Sequence, residues 1–376
     1  MKQRNFIKKT TRFLLVTMVI FFVLFNCISL KSKNNEIKIG LFATLTGVYP
    51  HLGREIRDGA LIAVEMINEE GGIKGKKVKL LIRDNMFSRE RAIKNVEELI
   101  SEEVIALIGP ATSTMSLEIL DVINKHKITT ISPTASSSEL TNRDDYLIRI
   151  RSSNKEDARV LAQYVTKLKI KKLAIIYDET NPVYCLDFIK NFTQNSSKDL
   201  LVYPYPNNPN KTKYKKLSQL VLSKNSDAVL IIHETFTASL IIQHLRALNK
   251  ELKIIISPWS KSDRLLENAG SRAEGVITVD LFEDSPRDER FLKFKKRFFE
   301  RFQYNPGFGA THGFEAVMVI KQAYELNPDS SKLKETILNK REFEGLQGKI
   351  LFDRYGDPIR NPFIIKIENG KFVKAE

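Results

Sequence analysis

Small hydroxyl side chains cluster in two short stretches of this sequence, GPATSTMS at 109–116 and SPTASSSE at 132–139. Each stretch follows an apolar, strand-like run and is predicted to lead into a helix. The N-terminus of a helix offers unpaired N–H groups and the positive end of the helix dipole, so such a loop suits a carboxylate or a phosphate. Helix capping is the simpler explanation, because Ser136 and Glu139 have the spacing of a capping box. The sequence leaves both interpretations open for each loop.

Aromatic side chains follow other apolar runs in the same way. Ligands of open parallel sheets bind beyond the carboxyl ends of the strands, so residues after strands are the first candidates for a pocket. The single tryptophan, Trp259, directly follows the strand-like run LKIIISP, and Tyr49 and Tyr184 lie in two comparable loops. Trp259 either packs beneath its loop or forms an aromatic wall over a ligand. Its position after a strand favours the second interpretation.

Catalytic and metal-binding patterns are missing from the sequence. No Gly-x-Ser-x-Gly elbow or Walker loop occurs, and no Gly-x-Gly-x-x-Gly follows the first strand. The five histidines and two cysteines show none of the usual metal-ligand spacings, and two cysteines are too few for a disulfide framework. The sequence therefore predicts neither an enzyme nor a bound cofactor or metal.

Short apolar runs alternate with amphipathic stretches from residue 37 onward, beginning with IKIGLFA and REIRDGALIAVEMINEE. In the second stretch the apolar residues have helical spacing: Ile56, Ala60, Ala63, Val64 and Ile67. The alternation restarts at KLAIIYD, residues 172–178, and repeated strand–helix units predict parallel sheets covered on both faces. The 376 residues are therefore predicted to form two doubly wound α/β domains, with C-terminal strands joined by YGDP and NG turns.

The N-terminus has the pattern of a secretory signal. Residues 1–12 carry five basic and no acidic side chains, and the largely apolar run FLLVTMVIFFVLF follows at 13–25. This run is short for a spanning helix, so residues 1–26 are predicted to be a signal peptide. LFNC resembles a bacterial lipobox and predicts lipidation of Cys27, with an uncleaved anchor as the alternative. Either way, residues 27–36 would tether an extracytoplasmic or periplasmic body to a membrane.

The formal net charge of the chain is +15, and part of it belongs to the N-terminal segment. The remaining basic residues are spread along the chain, and the short runs KYKKL and KFKKRFFERF fall in helical patterns. A nucleic-acid surface would require a Lys/Arg face with aromatic residues between the charges. No nucleic-acid partner is therefore predicted.

Eight segments, in order along the chain, carry a family resemblance: IKIGLFATLTG, GREIRDGALIAVEMINEEGGIKGKKVKLLIRDN, ALIGPATST, ISPTASSSELT, KKLAIIYD, AEGVITVD, RFQYNPGFGATHGFEA and GKILFDRYGDP. Over about residues 37–370 the chain resembles the type I periplasmic solute-binding proteins of the leucine/isoleucine/valine-binding family. The resemblance implies two Rossmann-like lobes with parallel sheets, joined by three crossovers. It implies a first lobe of residues 37–152 plus 280–349 and a second of residues 153–279 plus 350–376.

The resemblance also implies a carboxylate site in the first lobe. In relatives, small hydroxyls and backbone N–H groups of this lobe hold the α-carboxylate of the ligand. Ser113 and Ser136 fall at such positions, and Thr134 is expected to offer its backbone N–H. Ser137 and Ser138 are interpreted as plain helix-start residues.

The second lobe is expected to close over the ligand with an aromatic and an acidic side chain. The resemblance places Tyr184 as that aromatic residue, and Phe314 where the family often has a tyrosine. The acid that commonly binds the ligand's ammonium group is replaced by Trp259, and Glu234 is predicted to substitute because an acid must oppose the cation. Glu315, expected to face solvent, is a weaker candidate. A carboxylate lacking an amine, or an aromatic acid stacked on Trp259, fits equally well.

These expectations predict the extracytoplasmic solute-binding component of an ABC transporter. It would capture an amino acid or a related small carboxylate between its lobes and present it to a membrane permease. The alternative is a ligand-sensing or scaffold lipoprotein of the same fold that does not feed a transporter, because a fold by itself does not define a function.

Overall fold

The computed structural model describes residues 36–208, 213–281 and 288–375. The predicted signal peptide, most of the predicted tether and Cys27 lie outside the described residues. Among the helices that are described, none combines the length and the apolar composition needed to cross a membrane.

The first lobe is built on a parallel five-stranded sheet with the order β2-β1-β3-β4-β5. Its strands are β1 (Glu36–Ala43), β2 (Lys77–Asp84), β3 (Leu107–Ile108), β4 (Thr130–Ser132) and β5 (Leu147–Arg149). The helices between them are α1 (Pro50–Glu69), α2 (Arg89–Ser101), α3 (Ser113–Glu118) and α4 (Leu120–His126). The predicted strand–helix alternation is confirmed in this lobe, and the five apolar residues that predicted α1 are buried in its core.

The second lobe continues the same alternation. Its strands are β6 (Lys172–Asp178), β7 (Leu201–Asn207), β8 (Ala228–Ile232), β9 (Lys253–Ile256) and β10 (Ile277–Asp280). Its helices are α5 (Asn154–Lys167), α6 (Pro182–Gln194), α7 (Tyr214–Leu222), α8 (Thr235–Leu248) and α9 (Asp263–Ala269). A seven-stranded sheet results, with its two C-terminal strands antiparallel at one edge, because the chain returns to this lobe at its end.

The chain crosses between the lobes three times, after β5, after β10 and before the C-terminal strands. After β10 it forms α10 (Glu289–Phe302), α11 (Phe308–Leu326), α12 (Leu333–Lys340) and the hairpin β11 (Glu342–Gly345) and β12 (Gly348–Leu351). These elements share the core of the first lobe, and β13 (Phe363–Glu368) and β14 (Lys371–Lys374) then join the second sheet. Two α/β lobes joined by three crossovers confirm the predicted fold class. The predicted lobe bounds stay a prediction, and β12 extends past residue 349.

Helices α1 and α11 pack closely because small residues meet at their interface. A Cβ on Gly59 would lie 1.9 Å from the carbonyl oxygen of Ala310, and one on Gly313 would lie 2.3 Å from that of Ile56. Side chains at these positions would force the helices apart. This contact joins the first half of α1 to the first turns of α11, and both helices begin at the cleft between the lobes.

The local structure after β4 differs from the prediction. The chain forms only a 3₁₀ turn, Ser138–Leu140, in place of a helix. Ser137 caps this turn by accepting a hydrogen bond from the Glu139 N–H at 3.2 Å, so the predicted Ser136–Glu139 capping box is wrong. After β3 the predicted helix does form, but it has six residues, and Thr112 caps it through the Met115 N–H. Neither loop therefore leads into a long helix whose dipole could dominate anion binding.

Candidate ligand-binding site

A pocket between the lobes collects most of the predicted site residues. We call it the serine pocket, and the following residues line it: Leu52, Ala111, Thr112, Ser113, Thr134, Ser136, Arg151, Asn181, Tyr184, Pro258, Trp259 and Phe308. Its polar residues come from segments that follow strands β3, β4, β5 and β6, where ligands of parallel sheets bind. The two hydroxyl-rich loops thus lie opposite Tyr184 and Trp259 across this pocket.

The hydroxyl groups of the first lobe are held together by their own hydrogen bonds. Ser113 Oγ accepts from the N–H groups of Ser136 and Ser137, each at 3.1 Å. Thr134 donates its hydroxyl to the Ala111 carbonyl at 2.5 Å. Within the described chain, the hydroxyl protons of Ser113 and Ser136 and the N–H of Thr134 have no acceptor. These donors suit the oxygen atoms of a carboxylate.

Arg151 is the lining residue that the sequence analysis missed. It follows β5, is 6% exposed, and donates from Nη2 to Asp157 Oδ2 at 2.7 Å. A buried guanidinium needs such a partner, since it keeps its charge at any physiological pH. The rule that selected Trp259, inspection of the residues after each strand, would have found Arg151 as well.

A second pocket adjoins the serine pocket. We call it the glutamate pocket, and its lining is Tyr49, His51, Leu52, Glu55, Glu234, Thr235, Trp259, Ser262 and Phe308. Leu52, Trp259 and Phe308 line both pockets, so these three apolar side chains form the boundary between them.

Aromatic neighbours hold Trp259 in place. The rings of Tyr49 and Tyr184 meet the indole edge to face, each with centroids 5.4 Å apart. His233 stacks on it at 6.3 Å with an interplanar angle of 6°. The predicted aromatic wall therefore has a fixed orientation, and Tyr49 and Tyr184 are both part of it.

The acidic candidates Glu234 and Glu315 already have partners in the protein, and so does Glu55. Glu234 lies in the glutamate pocket, where its carboxylate caps α8 by accepting the N–H of Phe236 at 2.7 Å. Glu55 lies 2.9 Å from His51 Nε2. Glu315 is fully buried and accepts the Leu346 N–H at 3.1 Å, so its expected exposure to solvent is wrong.

Phe314 is not brought to either pocket. Its ring packs in the core of the first lobe, 5.0 Å from that of Phe294. Phe308, at the first position of α11, lines the cleft instead. Positions 308 and 314 point about 120° apart around a helix, so only one of them can face the cleft.

Hydrogen bonds across the cleft hold the lobes together. The Tyr49 hydroxyl donates to Asp178, and Thr114 Oγ1 donates to Asn181 Oδ1 at 2.9 Å. Ser138 donates its N–H to Asp187 Oδ2 at 2.7 Å, and Ser137 Oγ donates to the same oxygen at 3.2 Å. Ser137 and Ser138 are therefore more than helix-start residues, because they join the 3₁₀ turn of one lobe to α6 of the other.

Burial raises the pKa of Asp178, at this contact between the lobes, to about 6. Hydrogen bonds from Thr180 oppose the shift, and Glu234 and Glu179 add to it by charge repulsion. His233 Nδ1 lies 3.7 Å from the same carboxylate, but its own burial lowers its pKa to about 3. His233 is therefore neutral near neutral pH and does not compensate the Asp178 charge.

Two lobes, three crossovers and a pocket at the strand ends define a two-lobed solute-binding protein. The chain belongs to the periplasmic binding protein family, which it matches over residues 36–371. Members of this family are extracytoplasmic solute-binding proteins and not enzymes. The chain is 26% identical over 352 residues to the Leu/Ile/Val-binding protein BraC3 of Rhizobium johnstonii, covering 91% of this chain and 94% of that protein.

Solved structures share the fold. The branched-chain amino acid transporter substrate-binding protein LivJ from Streptococcus pneumoniae, in complex with isoleucine, has a TM-score of 0.82 at 21% identity. The match covers 90% of this chain and 100% of that one. A solute-binding protein of an ABC transporter from R. palustris, in complex with benzoate, has a TM-score of 0.79 at 20% identity. That match covers 90% of this chain and 95% of the other.

Proposed function

We propose that this protein is the solute-binding component of an ABC transporter and that it captures a small carboxylate, or an amino acid, between its lobes. The observation that carries the proposal is the serine pocket. It combines free hydroxyl and N–H donors of the first lobe with an aromatic wall from the second lobe. Relatives named for leucine, isoleucine and valine binding support the same class of ligand.

The ligand's carboxylate first binds the donors of Ser113, Thr134 and Ser136 on the open first lobe. The second lobe then closes, with Tyr184 and Trp259 covering the ligand. Closure is a shift of population toward the closed form, because only that form lets the ligand contact both lobes. A membrane permease recognises the closed form, and a lipid on Cys27 keeps the protein at the membrane. Glu234 is the predicted partner for a ligand amine.

The binding step is tested by a thermal-shift screen against amino acids, aromatic acids and dicarboxylates. A ligand at 100 times its dissociation constant should stabilise the protein by about 2.7 kcal/mol. Ser136→Ala should then weaken binding of the best ligand by about 1–3 kcal/mol, because a hydrogen bond to a charged oxygen is lost.

Ser223→Ala is the matched control, since this serine is exposed and its hydroxyl donates to the Leu220 carbonyl at the end of α7. Calorimetry should show wild-type affinity for that variant. An unchanged affinity of Ser136→Ala would remove Ser136 from the proposed site.

The transport step needs a separate test in the organism. Deleting the gene should abolish high-affinity uptake of the ligand found in the screen, and restoring the wild-type gene should recover it. Uptake that persists in the deletion strain would favour the alternative, a lipoprotein that senses the ligand without feeding a transporter.

A further inference from the structure

Among the residues that the structure describes, one buried charged side chain lines the serine pocket, and its charge is positive. Arg151 is 6% exposed, and the other lining residues of that pocket are uncharged. Its partner Asp157 is 1% exposed and does not line the pocket. The pocket therefore presents the positive guanidinium of Arg151 to a ligand. The Asp157 carboxylate, which balances this charge, lies outside the pocket lining.

The guanidinium of Arg151 retains donors for a ligand. Its one hydrogen bond to a described residue runs from Nη2 to Asp157, at 2.7 Å. An arginine side chain carries five N–H donors in a planar fork, so most of them are left for an acceptor in the pocket. A carboxylate that already binds Ser113 and Ser136 is such an acceptor, and the charge on Arg151 strengthens the bond.

Among the described residues, no acidic side chain lines this pocket, so an α-ammonium group has no carboxylate partner there. It is attached to the carbon next to the carboxylate, so it would enter the same pocket and lie near the positive guanidinium. The loop after β9 offers the Trp259 indole there. The acids that line the adjoining glutamate pocket already have partners, since Glu55 faces His51 and Glu234 caps α8.

We infer that Arg151 is a specificity-determining residue and that it selects carboxylates whose α-carbon carries no ammonium group. The inference rests on the proposed function and narrows its substrate class. Asp157 acts through Arg151 and is a positioning residue, because it fixes one edge of the guanidinium and leaves the rest of the fork to the pocket.

The test compares three matched pairs of ligands by calorimetry on the purified protein: 4-methylpentanoate and leucine, 3-phenylpropanoate and phenylalanine, pentanedioate and glutamate. We expect the acid without the amine to bind at least tenfold more tightly in every pair that binds. Equal or tighter binding of an amino acid overturns the inference and leaves the proposed function standing. Absence of binding by all six compounds also overturns the inference. The proposed function fails only if the broad screen finds no ligand either.

Variants then assign the preference to Arg151. Arg151→Gln leaves Asp157 buried without its partner, so the double variant Arg151→Gln/Asp157→Asn, which removes both charges, serves as the folded counterpart. We expect both variants to bind the acid at least tenfold more weakly and to lose the preference within each pair. A merely structural role would weaken both members equally and keep their ratio, which would overturn the inference.

Arg159→Gln is the matched control. Arg159 lies on the same helix as Asp157, pairs with Glu156 at 2.8 Å and is absent from both pockets. It should keep the wild-type affinities and the wild-type ratio. A loss of preference in this variant equal to that of Arg151→Gln would show a general charge effect and would contradict the inference.

Discussion

The serine pocket and the glutamate pocket share three apolar side chains and differ in the state of their polar groups. In the serine pocket the hydroxyls of Ser113 and Ser136 and most of the Arg151 fork are open to a ligand. In the glutamate pocket the carboxylates of Glu55 and Glu234 already have partners. Buried polar groups normally find partners in the protein, so groups left without them mark the place built for a ligand. This difference supports the proposal that the serine pocket is the binding half of the cleft.

Trp259 forms part of the boundary between the two pockets, so its removal should abolish the difference between them. Trp259→Ala should destabilise the protein by about 3–5 kcal/mol, because a buried indole packed against three rings is lost. It should also merge the two pockets and abolish binding of the carboxylate found in the screen. Denaturant unfolding and calorimetry measure the two effects.

Trp259→Phe is the control for this prediction, since it keeps an aromatic ring at the boundary. Its loss of stability should be clearly smaller than that of the alanine variant. A loss below about 1 kcal/mol in Trp259→Ala would show that the indole is not the packed wall described above.

Asp178, at the contact between the lobes, should make the stability of the protein depend on pH. Its pKa in the folded protein, about 6, lies above the ordinary value of 3.8, so its protonated form is favoured by folding. The resulting stabilisation is complete below about pH 4 and is lost as the pH rises through about 6. A pKa difference of this size changes the free energy of unfolding by about 3 kcal/mol.

The check is unfolding of the wild type and Asp178→Asn at several pH values from 4 to 7. The wild type should lose stability relative to the variant as the pH rises, because an asparagine cannot ionise. A constant difference between the two proteins across this range would contradict the raised pKa of Asp178.

The alternation of strands and helices was predictable because it depends on local periodicity. The run KLAIIYD became β6 with the bounds 172–178, and the rule for post-strand loops placed Trp259 and Tyr184 in the cleft. The same rule covers Arg151, which follows β5, but the pairing with Asp157 that compensates its charge is visible only in the folded structure. A run of serines likewise does not show how the backbone turns, and the chain after β4 forms a 3₁₀ turn.

Helical spacing also leaves the rotation of a helix undetermined. Phe308 and Phe314 belong to one helix, and the family resemblance selected Phe314. In the structure α11 turns Phe314 into the core beside Phe294, while Phe308 faces the cleft. This rotation places Ala310 in close contact with Gly59, which is a long-range feature of the fold.

Asp187 links the serine loop to the second lobe, and its removal should weaken closure without altering either pocket. Asp187→Ala deletes the acceptor for the Ser138 N–H and the Ser137 hydroxyl. The closed form should lose about 1–3 kcal/mol relative to the open form, which lowers the apparent affinity for every ligand by a common factor. X-ray scattering of the ligand-free protein should show a larger radius of gyration. Lys190→Ala, an exposed change on the same helix, should leave both unchanged, and an Asp187→Ala variant that behaves like this control would show that closure does not depend on the contact.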